Sequence, residues 1–404
     1  MEGVLKGIRV LDFGRFIAGP YCAALLGDMG AEVIRVERIE GSEDRFVAPV
    51  TETGEGGTFL QLNRNKRSIA LDPMSDGGRD VVRRLVGTAD VVVANLPAAT
   101  LKSMGLDYDT LTAVKPDIIL ATVSAFGNEG PYKDRVGFDG VGQMMSGAAY
   151  LSGEPGRPVR WSVPYVDFST ALACAFGVMC ALFARRESGK GQLVEGSLLR
   201  SAFTLANSML IEQAVLGLDR EPTGNRAYQI GPGDLFQTSD GGWILVQVIG
   251  PVLFARWAEL MGEKEAWLND PRFATDEDRG RNGAVLSERM ARWCAVRTTA
   301  DALETLAAAR IPCAPMYTPQ QALDDHHVRA SGMFTPMDFP GLETSAPLVS
   351  PIVSMSETPP RYASPAPALG ADTTSILAEL GYEASVIESL AAEGAIAGRA
   401  STDE

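Results

Sequence analysis

Histidine occurs only twice in the 404 residues, as the adjacent pair His326 and His327. Neighbouring residues do not readily converge on one metal ion, and no other His, Cys and carboxylate set has ligand spacing, so no metal site is expected. A Ser–His–Asp or Cys–His arrangement would have to draw on one of these two imidazoles. An enzyme of this composition without a redox or metal cofactor is expected to work through a carboxylate. Asp167 stands out, because it precedes a long apolar stretch, FSTALACAFGVMCALFARR, that reads as a helix closed by Gly189. A carboxylate there can simply cap the helix by accepting from its free N–H groups. The macrodipole also favours its charged form, which suits a nucleophile near neutral pH. The two roles are compatible.

Anion binding has weaker candidates. Arg35, Arg38, Arg64, Lys66 and Arg67 cluster early, and N-R-N-K-R at 63–67 is a basic island in a chain of net charge −15. Taken singly such residues are mostly solvated surface; together they suit phosphates. The overall acidity argues against nucleic acid. A strand, a Gly-containing loop, a helix and a strand ending at Glu37 imitate a dinucleotide site. The loop reads G-R-F-I-A-G, however, without the glycines that the tight turn and close pyrophosphate approach require. S-G-K-G at 188–191 lacks the leading glycine of a phosphate loop, since position 184 is Ala. Gly231, Pro232 and Gly233 read as a turn before a strand, or as a loop that closes over a site.

These residues need elements to position them. GIRVLDF, AEVIRVE, RSIALD, ADVVVANL and DIILATVSAFG read as strands. PYCAALLGDMG, with Pro20 in its first turn, and DGGRDVVRRLVGTA read as helices between them. The alternation predicts an α/β fold with a parallel, doubly wound sheet. A second helix is expected over EGSLLRSAFTLANSMLIEQAVLG. DLFQTSDGGWILVQVI reads as two strands around an Asp-Gly-Gly turn. A large domain is expected over 1–224, a small one over 225–320, and a segment over 321–404 that ends in a helix-like stretch and returns to the first. The longest apolar run, Ala171 to Ala184, is short of the ~20 residues of a spanning helix. Five scattered cysteines (Cys22, Cys174, Cys180, Cys294, Cys313) and no signal-peptide anatomy predict a cytoplasmic protein without a membrane partner.

In order and spacing, several segments resemble the class III CoA-transferase family, which includes formyl-CoA transferase, carnitine CoA-transferase and α-methylacyl-CoA racemase. They are LKGIRVLDFGRFIAGPYCAALLGDMGAEVIRVE, NRNKRSIALD, GFDGVGQMMSGAA, VDFSTALACAFGVMCALFARRESGKGQLVEGSLL, GDLFQTSDGGWILV, RIPCAPMYTPQQALDDHHVRASGMF and LGADTTSILAELGY. The resemblance implies a Rossmann-like large domain, a smaller α+β domain and an interlocked homodimer. It implies a CoA thioester as substrate and no tightly bound cofactor. Asp167 falls at the family's catalytic aspartate. Phe16, Ile17, Arg38, Leu71, Asn95 and Arg135 fall among its CoA contacts, and Gly231 to Gly233 at its glycine loop. Ala98, Ala99 and Ser103 depart from the family's Pro-Gly pair and Arg, so Lys102 is the expected substitute for that phosphate contact. Its terminal G-E-H-T reads Gly370, Ala371, Asp372 and Thr373. The racemase branch needs a His before Asp139; Phe138 stands there and lines the expected substrate site without exchanging protons. Arg15 is a surface residue or the partner of a second substrate carboxylate, as in a succinyl-CoA donor. The expectation is CoA transfer between carboxylic acids through an Asp167 anhydride and thioester. A racemase or epimerase, or a non-catalytic CoA-binding subunit of a heteromer, is the alternative.

Overall fold

The computed structural model describes residues 3–397, in two compact units. The first comprises 3–146, 162–207 and 331–397; the second comprises 147–161 and 208–330. The division points read from the sequence, at 224 and 320, both fall inside the second unit.

The first unit is built on β1 (Arg9–Asp12), β2 (Glu32–Glu37), β3 (Lys66–Leu71), β4 (Val91–Ala94) and β5 (Ile119–Ser124), with α1 (Ala18–Asp28) after β1. They belong to a seven-stranded sheet in the order Ile396–Ala397, β3, β2, β1, β4, β5, Leu193–Ser197. All neighbours are parallel except the first strand, which runs antiparallel on β3. Both faces are covered, and strand alternation shows how. Val10 of β1 packs in the core that holds α1, while Leu11 packs in the opposite core with Val81 and Ile376. Crossovers diverge between β1 and β4, so the loops at the strands' carboxyl ends part there and leave a crevice.

The helix Tyr165–Ser188 lies against α1 and β5. Gly189 closes it at φ +67°, donating its N–H to the Arg185 carbonyl at 2.8 Å. The apolar run understates this helix. At 24 residues it is long and apolar enough to cross a membrane. Its Val166, Ala171, Cys174 and Val178 are nonetheless core residues of the first unit. Its other face carries Phe176 and Phe183, 73% and 68% exposed.

Two expectations need correction. The single helix read from Glu195 is a strand, Leu193–Ser197, followed by the helix Leu198–Leu216. Gly196 allows the strand to lie against the long helix: a Cβ there would sit 2.4 Å from Cys174 Sγ. The helix-like C-terminal stretch is two helices, Thr373–Glu379 and Ala384–Ala392, divided at Gly381 with φ +83°. In the second unit the expected hairpin pairs Gly233–Gln237 with Trp243–Gln247, and a third strand, Cys313–Pro315, joins it. Helices Gly250–Leu260, Gly283–Cys294 and Thr299–Ala308 share that unit's core around Phe254, Trp257 and Met290.

Candidate active site

At the carboxyl ends of the strands of the first unit lies a cavity of about 860 Å³. Its walls are Arg15–Ala18 after β1, Arg38 and Glu43 after β2, Asn95–Ala99 after β4, residues 133–138 after β5, and Asp167 on the long helix. Residues scattered over 150 positions thus share one space. Arg15, Phe16, Ile17, Arg38, Asn95, Arg135, Phe138 and Asp167 all line it. Leu71 does not: its side chain is fully buried in the sheet core, paired in register with Ile396. Lys102 lies exposed on the helix Ala98–Ser103, whose Ala98, Ala99 and Leu101 do reach the wall. Gly231, Pro232 and Gly233 belong to the second unit and are tied into it. The Val248 N–H donates to the Pro232 carbonyl at 2.9 Å, and a Cβ on Gly231 would meet the Arg279 carbonyl oxygen at 2.7 Å. Those glycines serve close packing there.

The helix cap is a different carboxylate from the one expected. Asp139 opens the helix Asp139–Met145, and its Oδ2 accepts from the N–H of Val166 at 2.7 Å and of Asp167 at 3.1 Å. Gln143 donates to its other oxygen. Asp139 therefore satisfies two N–H groups of the long helix's first turn and leaves the Asp167 carboxylate uncommitted. Burial, followed by the negative charge of Asp139, pushes Asp167 up from 3.8 to about 7. The macrodipole argument predicts the opposite direction; loss of water and a like charge outweigh it. A partly buried carboxylate with a proton affinity near neutrality, in a cavity wall, has the properties of a reacting group.

The loop after β1 is held from three sides. Asn95 grips Arg15 reciprocally, its Oδ1 accepting from the Arg15 N–H at 2.6 Å and its Nδ2 donating to the Arg15 carbonyl at 2.8 Å. Asn95 thus shapes the wall in addition to lining it. From below, Asp12 accepts from the Gly14 N–H at 2.8 Å, and Arg35 donates to the Gly14 carbonyl at 3.2 Å. Phe16 is thereby set at φ +59°, a left-handed conformation unusual for a side-chain-bearing residue. Its ring meets that of Phe138 edge-on at 5.4 Å. No side chain caps α1, and Ile17 and Ala18 at its start line the cavity.

Most of the early basic island is structural. Lys66, fully buried, donates to Asp12 at 2.7 Å, the Pro20 carbonyl at 2.8 Å and Asn63 at 2.9 Å. Burial lowers its pKa to about 8. Arg64 pairs with Asp28 and lies 4.3 Å from the Tyr362 ring centroid; Arg67 holds Glu32 and Glu379. Only Arg38 of the five lines the cavity. Isolated buried charges are prohibitive, and the paired acids that neutralise these lie far off in sequence, so the spacing alone suggested a phosphate site. Glu43 was not expected. It sits on the short helical turn Glu43–Phe46, and one of its oxygens takes Arg15 at 3.2 Å while the other takes Arg38.

The family model for CoA-transferase family III matches residues 5–373. Succinyl-CoA–D-citramalate CoA-transferase of Chloroflexus aurantiacus is 35% identical over 384 residues, 93% of this chain and 94% of that protein. The beta subunit of succinyl-CoA–L-malate CoA-transferase from the same organism is 33% identical, over 93% and 94% of the two chains. A CaiB/BaiF family protein from Brucella suis superposes with a TM-score of 0.82 at 31% identity, covering 94% of this chain and all of that one. Match and coverage run through every segment that forms the cavity, and the chain belongs to CoA-transferase family III.

Proposed function

We propose that this protein transfers CoA from succinyl-CoA to a second dicarboxylic acid, with Asp167 as the nucleophile. The observation that carries the reading is Asp167 itself: uncommitted, held near pKa 7, and facing a cavity large enough for a thioester. Its carboxylate oxygen attacks the thioester carbonyl, the C–S bond breaks, and CoA leaves as the thiolate with a mixed anhydride behind. The thiolate then attacks the Asp167 Cγ carbonyl, expelling the donor as its carboxylate and leaving an aspartyl-CoA thioester. The acceptor carboxylate attacks that thioester to form a second anhydride, and the returning thiolate takes the acyl group and frees Asp167. No proton is consumed, and one hard displacement becomes several easier ones. The open N–H groups at the start of α1 supply oxyanion donors.

The dicarboxylate preference rests on the names of the relatives and on the arginines of the wall. In this reading the first unit is Rossmann-like, with CoA lying over the crevice between β1 and β4 and its phosphates near Arg38 and Arg135. Asn95 and the backbone of Phe16 and Ile17 shape its seat. The protein works in the cytoplasm, consistent with its five free cysteines, and as an interlocked homodimer. A heteromer is the second reading, favoured by the likeness to a named beta subunit. The chain purified alone is incubated with succinyl-CoA and a panel of dicarboxylates and monocarboxylates, and acyl-CoA products are identified by mass. New thioesters with dicarboxylates support the reading. Bound CoA without exchange points to a missing subunit, and failure to bind CoA contradicts family behaviour at this site.

A further inference from the structure

Glu43 joins two of the three arginines that line the cavity. Arg15 follows β1 and Arg38 follows β2, and each takes a different oxygen of the same carboxylate. The exposures of the partners are unequal: the Glu43 side chain is 59% exposed, that of Arg15 only 18%. An exposed carboxylate on a sheltered guanidinium is readily exchanged for another anion, because water screens its hold. The Arg15 backbone is fixed by Asn95 on both its N–H and its carbonyl. Only its side chain can therefore change partners. Arg38 reaches a second acid, Glu40, at 3.4 Å, yet its Nε makes no hydrogen bond. Both arginines are poised for an anion stronger than the one they hold.

We propose that Glu43 is a built-in placeholder that couples nucleotide binding to recognition of the acid. This deepens the CoA-transferase reading and rests on it. A phosphate of the incoming CoA displaces Glu43 from Arg38; the carboxylate then swings out and releases Arg15. The freed guanidinium takes the substrate carboxylate remote from the thioester. One displacement serves both ligands, so each strengthens the other, by the same factor in both directions. It also disfavours an acid entering a site without CoA.

Calorimetric titration of succinate into the full chain tests this, with the protein alone, saturated with CoA, or saturated with pantetheine, which lacks the phosphates. Wild-type protein is expected to bind succinate at least about fivefold more tightly with CoA than alone, and pantetheine to give no gain. Glu43→Gln is expected to bind succinate equally with and without CoA, at the wild-type affinity reached with CoA. Glu43→Ala repeats the measurement, with thermal melts confirming that both variants fold. The proposal is overturned if Glu43→Gln keeps the wild-type ratio, if CoA leaves wild-type succinate affinity unchanged, or if succinate binds under no condition. Failure of the wild-type protein to bind CoA would instead remove the CoA-transferase reading beneath it.

Discussion

Asp167 and Asp139 divide between them two roles that the sequence loads onto one residue. Asp139 holds the helix amides, and the Asp167 carboxylate is left free for the proposed reaction. As the proposed nucleophile, Asp167 would attack only when ionised, so its position near 7 implies that activity rises with pH through neutrality. The kcat/KM profile for CoA transfer is expected to show an acid limb centred near 7. Asp139→Asn keeps an oxygen for the two N–H groups but removes the like charge. It should move the limb to lower pH, but not as far as the ordinary carboxylate range, since burial is the larger cause and remains. A limb that stays in place would show that Asp139 acts by position alone. The place of Asp167 at the start of the long helix was legible, because apolar helix and acid are contiguous in sequence. Its electrostatics were not, since Asp139 lies 28 positions away and meets it only in the fold. Glu43 was hidden for the same reason: nothing local tells a bridging glutamate from a solvated one.

At the scale of elements, β1 to β5 and the helix after Asp167 were readable because their apolar alternation or length is strong. The strand Leu193–Ser197 was missed because LVEGS is short and runs directly into a helix. At Gly196 strand and long helix approach closely, with Cys174 Sγ 2.4 Å and Thr170 Cγ2 3.3 Å from a Cβ built there. Gly196→Ala must push the helix away from the sheet edge, and overpacking of this kind costs about 1–3 kcal/mol. A urea titration should show that loss as a lower midpoint with an unchanged slope. An unaltered midpoint would mean that the helix shifts freely. The buried ion pairs of the basic island teach a related lesson. Lys66 is positioned for Asp12 and Asn63, one of them far away in sequence, and a cluster of cations on paper became part of the scaffold beneath the loop after β1.

For the whole molecule, the outward face of the long helix is the feature that a single chain leaves unexplained. Leu172, Phe176 and Phe183 are exposed on it, which a second copy in the proposed homodimer would cover. Sedimentation should give a dimer at micromolar concentration, and Phe176→Glu with Phe183→Glu should shift it towards monomer; an unshifted dimer would place the interface elsewhere. The parallel sheet followed from the alternation of strands and helices, whereas the antiparallel strand Ile396–Ala397 on β3 depends on a contact spanning most of the chain. In the proposed reaction CoA passes through a covalent bond to Asp167. The decisive measurement is acid-quenched peptide mass spectrometry of the protein after incubation with succinyl-CoA. A CoA thioester on the peptide containing Asp167, absent from Asp167→Ala together with a loss of turnover on the order of 10³-fold or more, is the result predicted here. Turnover retained by Asp167→Ala, or a CoA adduct on a different residue, would contradict it.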